Sequence, residues 1–133
     1  MATNVRPRPL SPHLSIWKWR VHMTVSIFHR ATGIALATGA VVLFLWWLVA
    51  AATGADAYRV FHDVATGWFG ILVGFGLTLV FFQHMMSGIR HLIMDTGAGL
   101  EIVASKRLAT LTFVGSVLLT AATWAAILLT KGL

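Results

Sequence analysis

The chain has 133 residues, enough for one domain, of which 58% are hydrophobic and 11% charged, with a mean hydropathy of +0.82. A water-soluble domain carries about 25% charged residues, so the composition excludes that class and points to the bilayer. The absence of Cys excludes disulfides, iron–sulfur ligation and thiol catalysis, and leaves ligation to six His, with Met a weaker candidate.

The net charge of +6 does not signal nucleic acid: its cations sit at the ends of apolar runs, not in a Lys/Arg stripe interleaved with aromatics. Residues 1–25 are polar to amphipathic. The run Arg6-Pro7-Arg8-Pro9-Leu10-Ser11-Pro12-His13 has prolines that forbid a helix and favour extended chain. No compact apolar core with a small-residue cleavage site follows, so the segment reads as part of the mature protein rather than a signal or transit peptide. Trp17-Lys18-Trp19-Arg20 has the composition of a membrane-interface anchor.

Three charge-free runs follow, residues 31–55, 64–89 and 108–130, each long enough to span a bilayer. The first helix is expected to start near Thr24 or Ser26, which places Arg30 about a turn inside it. A short polar loop with Asp56, Arg59, His62 and Asp63 is expected next. The second helix should run to about Asp95, where Thr96-Gly97-Ala98-Gly99 supplies a stop with glycine for a left-handed cap. A connector with Glu101, Lys106 and Arg107 should lead to the third. The expected organisation is an all-α membrane protein: an interfacial segment, residues 1–25, and a three-helix anchor, residues 26–133, with spans at about 26–53, 64–94 and 108–130.

Cation counts set the expected orientation. Arg6, Arg8, Lys18, Arg20, Arg30, Arg90, Lys106 and Arg107 fall on one face, against Arg59 and Lys131 on the other. The positive-inside rule puts the N-terminus in the cytoplasm and the C-terminus in the periplasm.

That topology gathers two ionisable clusters on the cytoplasmic side: Ser26, His29 and Arg30, and His84, Arg90, His91 and Asp95. His84, Gly88, His91 and Asp95 are spaced i, i+4, i+7 and i+11, one face of a helix. Ionisable residues at membrane depth mark a functional site by default. Six residues before Arg90, His84 lies roughly 9 Å deeper at 1.5 Å per residue. It has two readings, a hydrogen bond to a neighbouring helix's carbonyl or axial ligation of haem iron. Gly88 would give clearance for a flat macrocycle. A bis-imidazole site needs a second His at similar depth, and His29 is expected too close to the interface, so that ligand would come from another subunit. His91 and Arg30 suit two haem propionates; alternatively Arg30 and Arg90 snorkel and fix topology. Asp95 is a candidate partner for either arginine, Lys106 or Arg107.

Ser26 and Arg30, one turn apart, continue into Gly33 and Ala37 as a seam of small residues. Such a seam serves helix packing, or holds a carbonyl-bearing, lipid-soluble ligand, with Trp19 as a wall. No nucleophile–base pair, carboxylate dyad or phosphate loop stands out, so catalysis by this chain alone is not expected.

Two segments resemble the signatures of the cytochrome b subunit of succinate dehydrogenase, respiratory complex II. One is Arg8-Pro9-Leu10-Ser11-Pro12-His13-Leu14-Ser15-Ile16 with Ser26-Ile27-Phe28-His29-Arg30-Ala31-Thr32-Gly33; the other is His84-Met-Met-Ser-Gly88-Ile-Arg90-His91-Leu92-Ile-Met-Asp95. The resemblance implies a membrane anchor that pairs with a second hydrophobic anchor in a haem-binding helix bundle. Together they would dock a flavoprotein and an iron–sulfur subunit, and electrons from succinate would reduce ubiquinone. It implies haem b with His84 as one axial ligand and the other from the partner anchor. It places Ser26, Arg30, Trp19 and Ile27 at the quinone, and His29, Arg30 and His91 near the propionates. One departure, beside Trp19, is that Trp19-Arg20-Val21-His22 lacks the proline of many mitochondrial relatives. A bacterial inner membrane is the expected location. The competing readings are a purely structural anchor and a small transporter or channel subunit with the His/Arg/Asp stripe as a proton relay.

Overall fold

The computed structural model describes residue 9 and residues 12–131. Arg6, Arg8, Leu10 and Ser11 of the N-terminal motif lie outside the described residues, as does the side chain of Lys131. After a 3₁₀ turn at His13–Ile16, four helices follow: α1 (Val21–Thr53), α2 (Ala55–Thr66), α3 (Trp68–Asp95) and α4 (Ile102–Lys131). Three of them, α1, α3 and α4, are long and apolar enough to cross a membrane, and no strand occurs among the described residues. The expectation of an all-α protein with three transmembrane helices holds.

The helix limits differ from those read off the charges. α1 starts at Val21, because Arg20 is extended (φ −129°, ψ 149°) and the helix begins there without a side-chain cap. Arg30 is therefore nine residues inside the helix, not about one turn. The expected polar loop after α1 is instead the amphipathic helix α2, entered through Gly54 at φ 136°. Its Arg59–Asp56 ion pair, 2.9 Å and exposed, is of the kind that contributes little. Phe61 turns inward and meets Trp46 edge-on at 5.1 Å. Extended backbone at Gly67 (ψ 165°) separates α2 from α3, so residues 64–66 belong to α2. α3 ends where Gly97 and Gly99 take φ 85° and 72°, the left-handed conformation expected of that glycine pair. α4 then starts at Ile102, so Lys106 and Arg107 lie within the helix rather than in a connector.

α1 is interrupted by one π turn, Leu36–Ala40, in which the Val41 N–H donates to the Leu36 carbonyl five residues back. The extra residue resets the facing of α1 after the turn that carries Gly33.

The bundle is inverted relative to a soluble protein. Its buried apolar residues are small, Val25, Ala50 and Ala109, whereas Thr32, Gln83, Ser87, Arg90, Thr112, Ser116 and Thr120 are buried and polar. Large apolar side chains such as Phe44, Trp47, Leu72 and Leu118 face outward. Lipid gives apolar groups no reason to turn inward, so helices associate through small residues and hydrogen bonds. Hydroxyls are satisfied locally, as where Thr78 and Thr120 donate to carbonyls four residues back, at 2.7 Å each. The most extensive packing joins α3 to α4, with α1 laid mainly on α3.

The α2–α3 corner depends on glycine. A Cβ at Gly70 would overlap the backbone carbonyls of Val64 and Ala65, which cannot yield as a flexible side chain can. Gly70→Ala should destabilise the protein by about 2 kcal/mol, read as a lower midpoint in detergent thermal denaturation.

Candidate functional site

The ionisable stripe of α3 divides into two faces. His84, Gly88 and His91 turn to α1, where His84 bonds to the His29–Thr32 segment and His91 touches His29. Gln83 and Arg90 turn to α4. Ser116 donates to Gln83 Oε1 at 2.8 Å, and Arg90 Nη2 donates to Ser105 Oγ at 3.0 Å.

His84 is held through one nitrogen. Its Nδ1 lies 3.1 Å from the His29 carbonyl oxygen and 3.2 Å from Thr32 Oγ1. The carbonyl can only accept, so Nδ1 must carry the hydrogen. The Thr32 hydroxyl hydrogen is engaged by the Phe28 carbonyl at 2.6 Å or the His29 carbonyl at 3.0 Å, which leaves its oxygen to accept from Nδ1–H. In the neutral ring this puts the lone pair on Nε2. Gly33 makes the approach possible: a Cβ there would sit 3.0 Å from His84 Cε1. The clearance expected at Gly88 is looser within this chain, since a Cβ there would meet His29 Cε1 at 4.0 Å, an ordinary contact.

His29 sits at the same level of the bundle as His84. The two rings stack at 4.2 Å between centroids and 6° between planes, and His29 also meets His91 at 5.0 Å and 59°. Eight residues past Val21, His29 lies roughly 12 Å along α1 at 1.5 Å per residue. Stacked parallel rings hold their in-plane lone pairs side by side, so His29 and His84 are not placed to grip one iron from opposite sides. Buried His29 Nδ1 has no partner. Among the described residues no three His, Cys, Asp or Glu side chains converge to hold an ion.

On α1, the Ser26 hydroxyl is half-buried, and both it and the exposed Arg30 guanidinium have no hydrogen-bond or ion-pair partner among the described residues. Ile27 faces outward beside them, and Trp19, 67% exposed, packs edge-on against Trp17 at 6.0 Å.

The family of succinate dehydrogenase/fumarate reductase transmembrane subunits matches residues 4–123. The chain belongs to this family. It is 39% identical to the succinate dehydrogenase cytochrome b556 subunit of Paracoccus denitrificans over 84% of this chain and 85% of that one. Against the b556 subunit of Rickettsia felis identity is 37%, over 88% and 90%. Against the mitochondrial b560 subunit of Sus scrofa it is 38%, over 71% and 57%. The chain is thus a transmembrane subunit of this family, and the relatives it matches are cytochrome b subunits of succinate dehydrogenase. Three spans and bacterial relatives suit a bacterial inner membrane, and mitochondrial relatives also match.

Within this family member, Arg90 does not snorkel. It is 5% exposed, with Nη2 on Ser105 and Nε buried without a partner. Asp95 is exposed and forms no ion pair among the described residues. Four contacts were not read from the sequence: Thr32 and Gly33 on His84, Ser116 on Gln83, and Ser105 on Arg90. Two of these carried a signal, since Gln83, Ser87 and Arg90 on α3 and Thr112, Ser116 and Thr120 on α4 recur at helical spacing in apolar runs.

Ser105→Ala should leave the buried Arg90 charge without its half-buried acceptor at a cost of about 1–3 kcal/mol. Thermal denaturation of the purified complex should show a lower midpoint, and Ser105→Thr should keep most of the stability.

Proposed function

We propose that this chain is the haem b-ligating, quinone-facing anchor of a succinate:quinone oxidoreductase. One observation carries the reading: His84 is clamped at Nδ1 by a backbone carbonyl and a hydroxyl, with Nε2 left as the free donor. A ligating histidine characteristically gives its other ring N–H to such an acceptor. An iron already held by a macrocycle requires one or two imidazoles, not a cluster of three protein ligands. This donor set fits haem b: His84, seated against Gly33, would be the ligand from this chain, and the other would come from the partner anchor. When bound, haem b supplies a one-electron redox centre. His29, Arg30 and His91 would lie near the propionates, with the exposed Arg30 guanidinium placed to hold one through charge-assisted hydrogen bonds.

Ser26 and Arg30 offer a free hydroxyl and a free guanidinium one turn apart, next to Ile27, on the helix that clamps His84. They would bind ubiquinone and stabilise the charge that builds on its carbonyl oxygen during reduction. Trp19, on the segment leading into α1, would border that pocket once the partner subunits close over it. Protons would come from the side carrying most of the Lys and Arg residues, assigned to the cytoplasm by the positive-inside rule, with exposed Asp95 at that face. The flavoprotein and iron–sulfur subunits would dock on the same side.

His84→Leu in the assembled complex should abolish or shift the reduced-minus-oxidised haem spectrum; unchanged position and amplitude would refute the ligand assignment. Arg30→Ala should cut succinate–quinone reductase activity by about 10²-fold while succinate oxidation by an artificial dye continues. A parallel fall in both activities would point to assembly instead.

A further inference from the structure

Thr32 is 6% exposed in the middle of an apolar helix, and its hydroxyl is the only side-chain hydrogen-bond partner of His84 among the described residues. A threonine in a membrane helix is ordinarily satisfied once its hydroxyl donates to the carbonyl four residues back. Thr32 does this to Phe28 at 2.6 Å, yet its oxygen also lies 3.2 Å from His84 Nδ1. The hydrogen in that contact comes from Nδ1, because the Thr32 hydrogen is already engaged by a carbonyl. Nδ1–H is thus shared between two acceptors one turn apart on α1, the His29 carbonyl and Thr32 Oγ1. Next to Thr32, a Cβ on Gly33 would stand 3.0 Å from His84 Cε1, so a larger residue would displace the ring from these acceptors.

We infer that Thr32 is a positioning residue for the haem: with the space left by Gly33, it fixes the His84 tautomer and ring setting and so tunes the redox potential of the iron held at Nε2. The inference rests on the reading of His84 as an axial ligand. An acceptor on the far N–H of a ligating imidazole raises its basicity. A more basic ligand favours the ferric state and lowers the potential. Removing the hydroxyl should do the reverse, and only in part, since the His29 carbonyl remains.

The test uses the complete succinate dehydrogenase complex carrying Thr32→Val, close in shape but without the hydroxyl, or Thr32→Ser, which restores it. Redox titration and low-temperature EPR are compared at matched haem content. Thr32→Val should raise the haem midpoint potential and shift the low-spin ferric g values, with Thr32→Ser returning both to the wild-type values. Wild-type potential and g values in Thr32→Val would overturn the inference. So would a change that Thr32→Ser fails to reverse, because the packing of the side chain rather than its hydroxyl would then be responsible. Loss of haem in Thr32→Val supports the inference if Thr32→Ser retains haem with wild-type values, and counts against it if both lose haem. The His84→Leu spectrum separates the two claims. If it is unaltered, the ligand reading falls; if it changes while Thr32→Val is silent, only the role of Thr32 falls.

Discussion

The site depends on one hydrogen bond, from His84 Nδ1 to the carbonyl of His29, 3.1 Å long and crossing from α3 to α1. In lipid no water can satisfy an imidazole N–H, and an unpaired polar group there costs several kcal/mol. The His29 carbonyl is available because carbonyl oxygens have two lone pairs and the helix ladder uses one. The same bond decides the tautomer, the face His84 presents and the distance between α1 and α3. Gly33 sets the closest approach, Thr32 adds the second acceptor, and the stacked ring of His29 covers one side of the imidazole. The two readings that the sequence left open for His84, a bond to a neighbouring helix and ligation, are therefore compatible. One nitrogen makes the bond, and the other is free for the proposed ligation.

The same scarcity of hydrogen-bond partners shapes the remaining interfaces. α3 and α4 meet through buried Ser, Thr, Gln and Arg side chains, while aromatic and aliphatic residues cover the outside. This leaves Gln83 Nε2, Ser87 Oγ and Arg90 Nε buried without partners on the α4-facing side of α3. It also gives the chain a wide apolar exterior against which lipid or another anchor subunit can pack.

The three spans were legible because 18 or more apolar residues in a row have few other uses, and the importance of His84 was legible because an imidazole at that depth is costly. Helix ends were less legible. Charge-free runs stop at the first cation, but helices do not, so Arg20 rather than Ser26 marks the start of α1, and Lys106 and Arg107 lie inside α4. α2 was hidden because Asp56, Arg59, His62 and Asp63 read as loop polarity, although with Phe61 they form one amphipathic helix. Thr32 and Gly33 could not be singled out on chemistry alone. A threonine and a glycine in a membrane helix are common packing residues, and only the position of α3 shows that they face an imidazole.

The central claim is that α1 grips His84 at Nδ1 so that Nε2 faces the haem iron. A cryo-electron microscopy map of the intact complex, with its cofactors bound, tests it most directly. Continuous density is expected from His84 Nε2 to the iron, with Nδ1 still directed at the His29 carbonyl and Thr32 Oγ1. An iron ligated on this chain by His29 or another residue, or a His84 ring turned away from α1, would contradict it.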